Sequence, residues 1–127
     1  MPVGAVISAV WGLVVLAVLL VAMARAVHSG GLERNSLMGV RTKATMHCDE
    51  CWRVGHRAAQ AGLRRAGWVA AVAAVVGVVL AVVGSGRSWG EAVTLTAFGI
   101  GYAGVVAVLL HATVVAGRAA RAVHPRR

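Results

Sequence analysis

Acids and aromatic rings are scarce in this chain. Four Asp and Glu stand against 13 Lys and Arg in 127 residues, with one Phe and one Tyr. A nucleic-acid domain spreads its cations along a groove and interleaves rings that stack on bases. Here the cations fall almost entirely in two blocks beside apolar runs, so nucleic acid is not expected as a partner despite the net charge of +9. A Ser/His/Asp set, paired carboxylates and a phosphate-binding loop are also missing, and neither an enzyme nor a cofactor is expected. What the chain has in quantity is Ala, Val and Gly, within an apolar fraction of 59%. That composition makes a poor soluble core and good membrane helices.

Three runs are long enough to cross a bilayer. Val3–Ala24 holds 22 residues without a charge, Ala66–Gly86 holds 21, and Ala92–Gly117 holds 26, interrupted only by His111. About 20 apolar residues suffice for a span, and the third run has length to spare for tilt. Ala22-Met23-Ala24 resembles a signal-peptide cleavage site, but no Lys or Arg precedes the first run and it exceeds the usual apolar region, so a retained helix is expected. The expectation is a single membrane domain, residues 1–127, of the all-α integral membrane class.

Orientation follows from the basic residues. The first connection, residues 25–65, carries Arg25, Arg34, Arg41, Lys43, Arg53, Arg57, Arg64 and Arg65. Arg118, Arg121, Arg126 and Arg127 follow the third run, while the short link between the second and third has only Arg87, beside Glu91. The positive-inside rule then predicts the N-terminus outside, the long connection and the C-terminus in the cytoplasm. Small residues recur at helical spacing in the second and third spans, at Ala73, Gly77, Ala81 and Gly84 and again at Ala97, Gly101 and Gly104. Such stripes allow close backbone approach, in a three-helix bundle or a homo-oligomer.

Within the connection, Thr45 is placed to cap a helix, with Asp49 and Glu50 near its positive end. Cys48, Trp52, Gly55, Ala59 and Gly62 then share one side, and Arg53, Arg57, Gln60 and Arg64 another. The spacing predicts an amphipathic cytoplasmic helix at the membrane surface, between the first and second spans. No Pro separates it from the second span, so the two are free to be continuous, and Gly67 alone is a weak break.

Other motifs compete for attention. Gly99-Ile-Gly-Tyr-Ala-Gly104 has the letters of a dinucleotide fingerprint, but it lies inside a span and lacks the strand and the acidic residue that motif needs, so it reads as helix packing. Cys48 and Cys51, with His47 and His56 nearby, have the chemistry of four zinc ligands. On a helix, however, His47 points away from Cys51 and His56 lies more than a turn beyond, so no metal is expected. Two reduced thiols on a cytoplasmic helix are expected instead, with a reversible redox pair as the alternative. His111, the only ionisable group inside a span, is either a functional intramembrane group or an anchor near the cytoplasmic interface. The second is favoured, because no acidic partner lies in any span.

Asn35-x3-Gly39-x-Arg41-Thr42-x2-Thr45, followed by Trp52 and His56-Arg57, resembles the signature of the SdpI-type immunity proteins. These are bacterial integral membrane proteins with a G-[IV]-R-T…T…W loop between two spans. The likeness covers roughly residues 3–86. Founding members are longer and often read R-T-P-W-T, where this chain has Lys43 and Ala44, so it is expected to be a short form. The resemblance implies a multi-pass protein of the bacterial inner membrane with a cytoplasmic loop, and a role in immunity to a secreted toxic peptide, envelope stress or signalling. Physically the motif reads as an anion-facing turn. Gly39 permits a left-handed backbone, Arg41 offers a planar fork of donors, Asn35, Thr42 and Thr45 orient it, and Trp52 holds the turn to the helix. Candidate ligand or partner residues are thus Asn35, Gly39, Arg41, Thr42, Thr45, Trp52, His56 and Arg57. The expected partners, beyond the bilayer, are a toxin peptide, an anionic lipid headgroup or a cytosolic regulator. Arg41 locked onto Asp49 or Glu50 is the internal alternative. A small transporter or lipid-handling subunit using the spans and His111 is the other functional reading.

Overall fold

The structure, a computed structural model, describes residues 3–34 and 38–123. It contains three helices, α1 (Val3–Ser29), α2 (Asp49–Val83) and α3 (Gly90–Val123), and no strand among the described residues. Each helix is long and apolar enough to cross a membrane. Large apolar side chains such as Trp11, Trp68, Val72, Ile100 and Leu110 stay exposed on their outer faces, where lipid would solvate them.

A separate amphipathic helix does not form. Residues 49–83 make one continuous helix of 35 residues, about 50 Å at 1.5 Å per residue, against about 30 Å of hydrocarbon. Nothing in the sequence interrupts it, and Gly67 is a packing position. A Cβ there would lie 3.3 Å from the Ala17 carbonyl of α1 and 2.9 Å from the Val21 side chain. The small-residue face of residues 49–65 packs on protein, because α3 runs on past Gly117 to Val123 and meets it. Ala59, Ala112 and Ala116 form a small buried cluster there, with Val40 of the connection laid against it.

Helix α2 is the shared partner of the other two. It packs antiparallel to α3 through a ladder of small residues. Gly55 faces Ala116 and Ala120, Gly62 faces Ala112, Gly101 faces Ala73, Gly77 accommodates the Phe98 ring, and Gly84 meets Gly90 at the tight link. The small residues noticed in the sequence are therefore used largely within this helical pair. On the other side Leu13, Ala17, Leu20 and Ala24 of α1 pack with Leu63, Ala66 and Ala70 of α2. Tyr102 ties α1 to α3, its hydroxyl donating to the Ala9 carbonyl at 3.0 Å. In the dinucleotide-like run, Gly101 and Gly104 pack on α2 while Gly99 is open, as helix packing requires.

Candidate functional site

The connection between α1 and α2 begins where Gly30, at φ +73°, ends the first helix. It then crosses the buried side of α2's first two turns. Trp52 and His56 lie one helical turn apart, 1% and 2% exposed, with ring centroids 4.0 Å apart. Each ring fastens a different piece of the connection. Trp52 Nε1 donates to the Leu32 carbonyl at 2.9 Å, and His56 Nε2 accepts the Val40 amide at 2.7 Å.

Gly39 lies directly over these rings. Its φ of +136° is disfavoured for side-chain-bearing residues, and a Cβ would come 2.6 Å from the Trp52 ring and 2.7 Å from His56 Nε2. The next turn is organised by Thr45, which is fully buried. Its hydroxyl accepts the Thr42 amide at 2.9 Å and donates to the Val40 carbonyl at 2.8 Å, while the Thr45 amide donates to Thr42 Oγ1 at 3.2 Å. Thr45 is thus the centre of a turn and not the helix cap. The cap is Cys48, whose Sγ accepts the Cys51 amide at 3.0 Å, with Asp49 and Glu50 in the first turn where the helix dipole favours acids.

The His56 ring has a defined protonation state. A backbone amide must donate to Nε2, so that atom carries no proton, and Nδ1 donates to the Trp52 carbonyl at 2.9 Å. Burial pushes the imidazole below its ordinary value of 6.5, with the carbonyl bond opposing in part. Among the described residues every buried side-chain polar atom has a partner.

The residues singled out in the sequence therefore divide in two. Gly39, Thr45, Trp52 and His56, with the half-buried Thr42, build a clasp that holds the connection on α2. Arg41 and Arg57 are exposed, as are Arg53, Arg64 and Lys43 around them. Asn35 lies outside the described residues. Arg34 makes an internal cation–carboxylate pair, its Nε 2.9 Å from Asp49 Oδ1, and its guanidinium also reaches the Met46 carbonyl at 3.3 Å.

Cys48 and Cys51 are joined in a disulfide and are not two separate thiols. His56 is committed to Val40 and Trp52, and no cluster of metal-ligating side chains occurs among the described residues. His111 is exposed on α3, beside the Ala112 that packs on Gly62, so it does not enter the α2–α3 interface. Sequence reasoning missed Leu32 and Val40, which act through backbone atoms, and Arg34, which carried no spacing signal. Tyr102 carried a signal of its own, since a lone Tyr in a span needs a partner for its hydroxyl.

No curated protein and no solved structure matches the chain. A family profile does, over residues 31–117, a stretch that takes in the clasp, all of α2 and most of α3. With more than half of its length matched, the chain is a multi-pass membrane protein belonging to the SdpI/YfhL protein family.

Proposed function

We propose that this protein is a membrane immunity or envelope-stress signalling protein that acts by binding and not by catalysis. Its site is the basic end of the α2–α3 pair, and its ligand is an anionic group on a toxin peptide, a lipid headgroup or a cytosolic regulator. One observation carries the reading: the family motif splits into a buried clasp and an exposed pair of guanidinium groups, Arg41 and Arg57. The clasp fixes the backbone on both sides of Arg41, through Val40 on His56 and Thr42 on Thr45. A planar donor fork held on a rigid turn can meet a carboxylate or phosphate with little loss of conformational freedom.

The orientation proposed with it places this basic end in the cytoplasm of a bacterium, with the N-terminus and the α2–α3 link outside, on the distribution of Lys and Arg. Expression in peptide-sensitive cells tests the reading. The wild type should protect them, and Arg41→Ala should abolish protection at equal protein level in the membrane. Undiminished protection by Arg41→Ala would remove the role given to the loop.

A further inference from the structure

Cys48 and Cys51 stand apart from the binding reading, since neither thiol is needed to hold Arg41. Their placement is asymmetric. Cys48 is half-buried at the mouth of α2, whereas Cys51 is fully buried one turn inside. Cys48 is also the helix cap, with the Cys51 amide donating to its sulfur at 3.0 Å. An amide donor and a helix N-terminus aimed at one sulfur stabilise negative charge there, which makes that sulfur a better nucleophile and a better leaving group. Of the neighbouring acids, Asp49 is paired with Arg34, and Glu50 is exposed one residue further on. Under the proposed orientation the disulfide faces the cytosol, where disulfides in most organisms are transient and serve exchange or sensing.

We infer that the Cys48–Cys51 pair is a thiol–disulfide exchange site, with Cys48 the sulfur that meets an external dithiol and Cys51 the sulfur that resolves the bond. The inference rests on the proposed orientation. In the reducing direction a partner thiolate attacks Cys48 Sγ, a mixed disulfide forms, and Cys51 leaves and takes a proton. The partner's second thiolate then attacks its own sulfur in the mixed disulfide, and Cys48 leaves and is protonated. The partner dithiol becomes a disulfide, and two electrons and two protons pass to the pair. The reverse sequence oxidises it. The partner is thus a dithiol of the cytosolic reducing system.

The site lies where the clasped connection enters α2. The Trp52 amide bonds to the Cys48 carbonyl at 2.9 Å, and Arg34 bridges Asp49 to the Met46 carbonyl. None of these bonds involves either sulfur, so exchange does not require the site to unfold.

The test is alkylation of full-length protein. In detergent, equilibration against reduced and oxidised dithiothreitol should give a reversible two-thiol transition, read as a double mass shift with a maleimide. After reduction, Cys48 should react with iodoacetamide on the order of tenfold faster than Cys51 at neutral pH, as capping and exposure both require. Cys51→Ser should form a mixed disulfide with glutathione at Cys48, and Cys48→Ser should not. Equal rates, faster reaction at Cys51, or a disulfide reducible only after denaturation would overturn the proposal. Membrane vesicles of known sidedness separate the two readings. A membrane-impermeant maleimide should label reduced protein only in inverted vesicles. Labelling in right-side-out vesicles would overturn the orientation, and exchange with a cytosolic dithiol with it, even if the asymmetry between the two thiols held in detergent.

Discussion

His56 holds the Val40 amide on Nε2 at 2.7 Å, and this bond exists only while the imidazole is neutral. Protonation would put an N–H against an N–H and leave the Val40 amide without its acceptor inside a buried site. Because burial depresses the titration of His56 below 6.5, its contribution to folding stability is fully present above pH 6.5 and is lost as the pH falls from there through the folded-state value. Thermal unfolding in detergent should therefore show a midpoint that drops on mild acidification. In His56→Gln that acid-dependent drop should be absent and the neutral-pH stability lower by about 1–3 kcal/mol. A pH response identical in wild type and variant would mean that His56 is not the group involved.

The Trp52 ring combines two roles that substitution can separate. Trp52→Phe removes the bond to the Leu32 carbonyl but keeps most of the packing, and should cost about 1 kcal/mol. Trp52→Ala should cost about 3–5 kcal/mol, because a fully buried ring is lost beneath Gly39. Unfolding midpoints of the two variants, measured side by side, should preserve this order.

Gly39 and Gly30 both have positive φ, yet their surroundings differ. A Cβ at Gly39 meets the Trp52 and His56 rings, whereas one at Gly30 meets nothing within 4 Å. Gly39→Ala should cost about 2 kcal/mol or more, combining backbone strain with displaced rings, and should speed tryptic cleavage at Arg41 and Lys43. Gly30→Ala carries the backbone cost alone, about 1 kcal/mol, and should leave that cleavage rate unchanged.

Along the antiparallel pair, Gly62→Val places methyl groups against Ala112, where even a single Cβ would come 2.7 Å from the Ala112 Cβ. A cost of about 1–3 kcal/mol is expected from forcing α2 and α3 apart. Gly99→Val, in the same pair but facing open space, should lie within about 0.5 kcal/mol of wild type. Equal destabilisation by both would contradict the packing described here. The Arg34–Asp49 pair offers a contrast. With side chains 35% and 81% exposed, its removal by Asp49→Asn should cost less than about 1 kcal/mol, and less still at high salt.

Much of the architecture was legible in the sequence because membrane crossing is a local property. Uninterrupted apolar length marks the three helices, and their count follows from the runs at residues 3–24, 66–86 and 92–117. The amphipathic pattern from Cys48 to Arg64 specifies a helix but not what surrounds it, and the structure sets it against α3 and not at a membrane surface. A small-residue face fits a lipid interface or a neighbouring helix equally well by periodicity. The extension of α3 to Val123 is what decides for the neighbour.

The motif shows the same division. Residue types and spacing from Asn35 to Arg57 suffice to suggest the family, since a family signature is a property of the string. They did not reveal which members face inward. Thr45, Trp52 and His56 are polar or amphipathic and looked equally fit to hold a ligand, and only the return of the connection over α2 buries them. Their partners are the Leu32 carbonyl, the Val40 amide and the Val40 carbonyl. Backbone groups are present at every residue and leave no mark in the sequence. Tertiary structure alone selects which of them are near enough to bond, and by doing so it leaves Arg41 and Arg57 as the exposed part of the motif.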